Sequence, residues 1–194
     1  NLVGLTQVHG ATAVRVTEPW APGAGPRADG VVTDRPGMAL AIVTADCAPI
    51  LLADPAAGVI GALHAGWRGA AGGIIEATVN SMICLGADLK RVIAAIGPCI
   101  GQPSYEVGQD LQQGVLAATP EASRYFVAGR RPGHWQFDLA GYCALRLAET
   151  GVRRIDTLHA DTAADEARFF SHRRRTLAGG GPIGHQISII ALIA

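Results

Sequence analysis

The sequence predicts an α+β fold, an α/β-like arrangement of mixed sheets with crossover helices. Three observations predict it. Short apolar runs rich in β-branched residues recur along the chain, at 38–44, 59–64 and 92–96 among others. One pair, 50–53 and 59–64, is joined by the compact turn sequence Asp54-Pro55-Ala56-Ala57-Gly58, as in a hairpin. Other runs are separated by stretches of helical length and period, which act as crossovers.

In chain order, residues 2–16 alternate in polarity and read as two short strands around Gly10. Residues 18–27 hold Pro19, Pro22 and Pro26 and read as a loop. Ala28-Asp29-Gly30-Val31-Val32-Thr33 is a turn that runs into a strand. The buried strand at 38–44 is closed by Ala45-Asp46-Cys47-Ala48-Pro49, and the hairpin follows. Residues 69–86 read as one helix ending near Gly86. A strand at 92–96 precedes a helix at 108–118, where Leu111 and Val115 stand four apart. Residues 135–138 are strand-like, 139–150 form an amphipathic helix stopped by Gly151, 154–158 are a strand, and 184–194 are the last strand. With no internal repeat and no linker, residues 1–194 read as one domain.

Composition narrows the function. The chain has 194 residues, 49% hydrophobic and 16% charged, which is enough to bury a substantial core. Formal net charge is zero, so neither a nucleic-acid footprint nor a polybasic membrane face is expected. No apolar stretch reaches membrane-spanning length, and no charged n-region with an apolar h-region opens the chain. Four cysteines, Cys47, Cys84, Cys99 and Cys143, are too few and too dispersed for a disulfide framework. Reduced thiols in the cytoplasm and small-molecule partners are the expectation; oligomeric state is not readable. The chain opens on Asn1 rather than Met, so a missing native N-terminal segment is expected.

The segment His64-Ala65-Gly66-Trp67-Arg68-Gly69 sits where a strand hands over to a helix, a junction that aims side chains into a cleft. His9, Cys47 and His64 each stand at or near a predicted strand edge. Two imidazoles and a thiolate form a recognised open zinc set, and soft sulfur argues against calcium or magnesium. Blue copper would need an axial methionine, and Met38 and Met82 lie far from any Cys-x-His cluster. The ligands match no compact motif, so spacing leaves three readings open: a shared metal site, a Cys47 nucleophile with His64 as its base, and plain core residues. Asp46 adjoins Cys47, but successive strand residues face opposite ways, so it need not share the cleft.

Arg68 in a first helical turn is a candidate anion holder, and otherwise a surface arginine. Trp67 is either a base-stacking wall or a core plug. Cys99, in Gly97-Pro98-Cys99-Ile100-Gly101, is either a reactive or a buried inert thiol. Glu106 is a candidate general base or a helix N-terminal charge. His172 lies in the basic segment Phe169-Phe170-Ser171-His172-Arg173-Arg174-Arg175, whose default reading is a solvated charge run. His134, His159 and His185 have no evident partner.

Together these segments resemble the YfiH/laccase-domain family, labelled multicopper polyphenol oxidase-like and associated with purine nucleoside chemistry. The resemblance rests on Gln7-Val8-His9-Gly10, Ala28-Asp29-Gly30-Val31-Val32-Thr33, Thr44-Ala45-Asp46-Cys47-Ala48-Pro49, the His64–Gly69 segment, Gly97-Pro98-Cys99-Ile100, Ser104-Tyr105-Glu106-Val107 and Phe169-Phe170-Ser171-His172-Arg173-Arg174. It implies a YfiH-like, cysteine-hydrolase-type fold and one zinc per chain on His9, Cys47 and His64, rather than copper. It further implies phosphorolysis of adenosine, inosine, guanosine and methylthioadenosine, and deamination of adenosine. Arg68, Cys99 and Glu106 are then the catalytic candidates, and Arg68 with Trp67 the substrate-binding ones. Two alternatives go with it: a cysteine amidohydrolase acting on a cell-wall precursor, and a copper-dependent polyphenol oxidase. Beyond Arg175 the chain departs from the family pattern, which puts substrate preference in doubt.

Overall fold

The computed structural model describes residues 1–193. The first half is strand-rich: β1 (Leu2–Val3), β2 (Ala13–Arg15), β3 (Gly30–Thr33), β4 (Met38–Thr44), β5 (Ala48–Asp54) and β6 (Val59–Ala65). Helices α1 (Trp67–Gly72) and α2 (Ile74–Cys84) follow, then β7 (Ile93–Ile96), β8 (Glu106–Val107) and α3 (Gln109–Ala118). The remainder is β9 (Phe126–Ala128), β10 (Trp135–Phe137), α4 (Leu139–Glu149), β11 (Arg154–Thr157), α5 (His172–Leu177) and β12 (Gln186–Leu192).

Six strands form the central mixed sheet, in the order β11-β7-β5-β6-β3-β2. Alternation along its strands sends side chains to two cores. In β6, Val59 and Leu63 join a core shared with α2 and α4, whereas Ile60 and Ala62 pack with Leu40 and Ile42 of β4. The second face is thus covered by the three-stranded sheet β1-β4-β12. A small antiparallel sheet, β8-β10-β9, sends Val107 and Phe137 into the first of these cores. This is the mixed α+β architecture that the patterning predicts.

Four expectations need correction. The helix expected at 69–86 is two helices, α1 and α2, separated by Gly73 at φ 97°. That left-handed conformation suits glycine, and it ends α1 while starting α2 in a new direction. The strand pair expected around Gly10 is limited to β1 and β2. Residues 5–10 between them lie outside any named strand, with Thr6 bridging Arg27. The basic segment is not a solvated run: α5 starts at His172, capped by the Ser171 hydroxyl accepting from Arg174 N. The last strand is shorter than expected; Ala194 lies outside the described residues.

Candidate metal centre

Strand register assembles the centre. In the β5–β6 hairpin Ala48 pairs with Ala65 and Pro49 with His64, so Cys47, one residue before β5, comes opposite Gly66. Closeness there is possible because residue 66 lacks a side chain: a Cβ would lie 3.0 Å from Cys47 Sγ and 3.2 Å from His9 Cδ2. In the β3–β6 pair Gly30 faces Leu63, which sets Asp29 beside His64. The His64 amide donates to the Asp29 carbonyl at 2.7 Å.

Asp29 is fully buried and holds two of the three candidate ligands. Its Oδ1 lies 2.8 Å from His64 Nδ1 and accepts from the amides of His9 (3.0 Å) and Val8 (3.1 Å). Its Oδ2 accepts from Gly10 N at 2.7 Å. These bonds hold His9 at φ 60°, a left-handed conformation that a non-glycine residue keeps only when its surroundings impose it. Burial alone would raise the Asp29 carboxyl. The bond to His64 and those from Gly10, His9 and Val8 outweigh burial and hold it below the usual carboxylate range. Burial lowers the His64 pKa, which favours the neutral imidazole despite the Asp29 partner.

The donor atoms of His9, Cys47 and His64 all lie within 4.8 Å of one another. Cys47 Sγ is 3.9 Å from His9 Nε2, close to the roughly 3.5 Å edge of a zinc tetrahedron with one sulfur and one nitrogen. The two imidazole rings meet edge to face, with centroids 4.6 Å apart. A carboxylate on Nδ1 leaves Nε2 of His64 for a cation, the usual support of a metal-bound histidine. The residues therefore fit a single borderline-soft ion. Without one, burial and then the charges of Asp46 and Asp29 push the Cys47 thiol up to about 12, which keeps it protonated. A cation among these donors is what would favour the thiolate.

The three donors open into a cleft of about 580 Å³. Arg68, Tyr105, His172, Arg173 and His185 line it with them. Trp67 combines its two readings: it faces the cleft and packs on the core, and the Arg68 guanidinium lies 4.5 Å from its ring centroid. Tyr105 has the Arg173 guanidinium 5.5 Å from its ring.

Cys99 and Glu106 do not come into this cleft. The Cys99 thiol is buried, chiefly by desolvation pushed up to about 12, and behaves as core. The Glu106 carboxylate is taken by three donors, Arg130 N, Arg131 N and Arg131 Nε, and lines a different cavity. Burial opposes ionisation there, but the Arg131 contacts prevail and keep it below its usual value, the reverse of what a general base at neutral pH requires.

Two residues escaped sequence reasoning in their roles. Asp29 was visible only as part of a motif, although a carboxylate between apolar runs is itself a signal of a satisfied buried acid. Asp46, at φ 88° in the bend between β4 and β5, is outside any strand and lines the cleft, so strand alternation does not keep it out as expected. There it accepts from Thr162 Oγ1 (2.6 Å), Ser171 Oγ (2.9 Å) and Arg173 N (2.6 Å). It thereby fixes α5, whose first residues His172 and Arg173 form the far wall.

Comparisons with known proteins identify relatives along the whole chain. The family described as "Multi-copper polyphenol oxidoreductase laccase" matches residues 1–193. A Deinococcus radiodurans protein named purine nucleoside phosphorylase is 42% identical over 194 residues, covering 97% of this chain and 69% of the relative. A Streptomyces coelicolor protein of the same name is 46% identical over 180 residues, covering 92% and 72%. Among solved structures, a Neisseria meningitidis protein of the DUF152 family superposes with a TM-score of 0.88 at 34% identity, covering 100% of this chain and 75% of that one. Geobacillus stearothermophilus YlmD gives 0.89 at 34% identity, covering 100% and 74%. No helix among the described residues is long and apolar enough to cross a membrane. By match length and fold, the chain belongs to the family of multi-copper polyphenol oxidoreductase laccase proteins.

Proposed function

We propose that this chain is a zinc-dependent purine nucleoside phosphorylase that also deaminates adenosine. The observation that carries the reading is the convergence of His9, Cys47 and His64 at one end of a cleft that Arg68 and Arg173 also line. Relatives named purine nucleoside phosphorylase support the substrate class. About 580 Å³ accommodates a nucleoside with a phosphate.

Zinc on the three donors would supply a Lewis acid and an activated water. The chain's own residues would supply the rest. Arg68 and Arg173 present guanidinium forks suited to phosphate. Trp67 offers an apolar face, and His172 and His185 line the cleft as groups able to pass a proton. Phosphorolysis forms a bond from a phosphate oxygen to C1′ as the C1′–N9 bond breaks and the purine takes up a proton. The described residues bring one three-donor group together, which favours one zinc over an array of coppers. Zinc-dependent release of adenine or hypoxanthine from nucleosides should require phosphate. Deamination of adenosine should not. Cys47→Ala should abolish both; full turnover in that variant contradicts the reading. Turnover by metal-stripped protein on an amide, blocked by iodoacetamide, would favour the cysteine amidohydrolase instead.

A further inference from the structure

A second cavity, of about 490 Å³, lies next to the first, with Arg173 in both walls. Arg130, Arg131, Arg173 and Arg174 line it, with Glu106 as the carboxylate among them. Four arginines thus share one cavity wall with one carboxylate, in a chain whose formal charge is zero. Glu106 does not discharge them all. Its Oε2 pairs with Arg131 Nε at 2.7 Å, and its Oε1 accepts the amides of Arg130 and Arg131.

Arg173 and Arg174 are held by neutral acceptors. Arg173 Nη1 donates to the Glu106 carbonyl at 2.9 Å. Arg174 donates to the carbonyls of Thr162, Ala163 and Phe169. Carbonyl oxygens orient a guanidinium and leave its charge in place. The acid nearest Arg174, Glu166, is 3.8 Å away on a side chain 82% exposed, where solvent screens it. The Arg130 guanidinium has no hydrogen-bond or ion-pair partner among the described residues. Fixed cationic donors around a concavity need little reorganisation when an anion arrives.

We propose that this cavity binds the phosphoryl group of a small phosphate monoester. Guanidinium forks match the oxygens of a phosphoryl dianion. Pro103 and the exposed Leu177 add an apolar lip beside the arginines, which gives the carbon skeleton of an ester something to lie on. The site stands apart from the metal donors and does not depend on the nucleoside reading.

The test titrates ribose 5-phosphate and, separately, inorganic phosphate into the metal-loaded protein and follows the heat of binding. Arg130→Ala removes an exposed side chain with no partner to lose, and should weaken the ester by about ten-fold or more, the range of one charge-assisted contact. Leu177→Glu sets a carboxylate on the lip and should weaken it too, which guards against a folding defect in the first variant. Arg68→Ala, in the other cleft, should leave the ester affinity within about two-fold, a shift of under half a kcal/mol. Inorganic phosphate should bind this cavity more weakly than the ester. The proposal is overturned if the unaltered protein binds no ester at millimolar concentration. It is also overturned if Arg68→Ala abolishes binding while Arg130→Ala does not, or if inorganic phosphate binds the cavity as tightly as the ester.

Discussion

Two buried aspartates organise opposite walls of the cleft, and they do so over different distances along the chain. Asp29 binds groups 19 to 35 residues away, Gly10, His9, Val8 and His64, all near the neighbouring strands β3 and β6. Asp46 binds groups 116 to 127 residues away, in the loop at Thr162 and at the start of α5. The ligand wall is therefore built into the sheet, while the facing wall is a late segment latched to the turn that carries Cys47. The difference teaches that the metal donors and the far wall are separable. One carboxylate supports ligand geometry; the other supports the shape of the space in front of it.

Asp29→Asn should have the largest effect. It removes the charged acceptor of His64 and of the Val8–Gly10 amides, and loss of such support lowers metal affinity about 10- to 100-fold. A chelator competition measures this, and unfolding in urea should show a loss of about 3 kcal/mol as buried donors lose a charged partner. Unchanged metal affinity would break the distinction between the two walls.

Asp46→Asn should come next, with a loss of about 1–3 kcal/mol and metal content unchanged. The asparagine amide turns a donor towards partners that are themselves donors. Hydrogen exchange should rise at the amides of α5, and substrate KM should rise more than kcat falls. Loss of metal in this variant would show that the two walls are one unit.

Gly66→Ala probes the ligand wall by crowding alone. The backbone there, at φ −75°, is open to alanine, so the cost is the contact of the new Cβ with Cys47 Sγ and His9 Cδ2. About 1 kcal/mol of overpacking is expected, read as weakened metal binding with little change in α5 exchange.

A third buried aspartate serves as the control. Asp54 lies away from the cleft, paired with Arg91 at 2.8 Å and accepting from Asp88 N. Burial would raise its carboxyl, but Arg91 and the backbone donors pull it from an ordinary 3.8 to about 2. The folded state thus favours the charged form. The stabilisation is complete above about pH 4 and is lost as pH falls towards 2. Asp54→Asn should have the smallest effect on the metal site: full metal content at neutral pH, with lower stability at pH 7 and a difference that vanishes near pH 2.

The same contrast explains what the sequence could convey. The strand at 38–44 and the helix around 139–150 are legible because alternation and helical period survive in them with clear stops. His9, Cys47 and His64 each stand at or near a predicted strand edge, so their residue types point to a metal site even though spacing alone does not close it. The register that brings Cys47 opposite Gly66 depends on hairpin pairing, which local pattern constrains only loosely. Gly73 was hidden inside a run of small residues that also reads as continuous helix. Long-range closure is the least legible of all: nothing near Asp46 announces Thr162 or Ser171, so α5 read as a charge run, and the diversion of Glu106 to Arg131 was invisible.

The central claim is that His9, Cys47 and His64 hold one zinc. Quantitative metal analysis of the isolated protein beside Cys47→Ala tests it most directly. The account predicts one zinc per chain in the unaltered protein and none above background in the variant. Several coppers per chain, or zinc retained in full without Cys47, would contradict it.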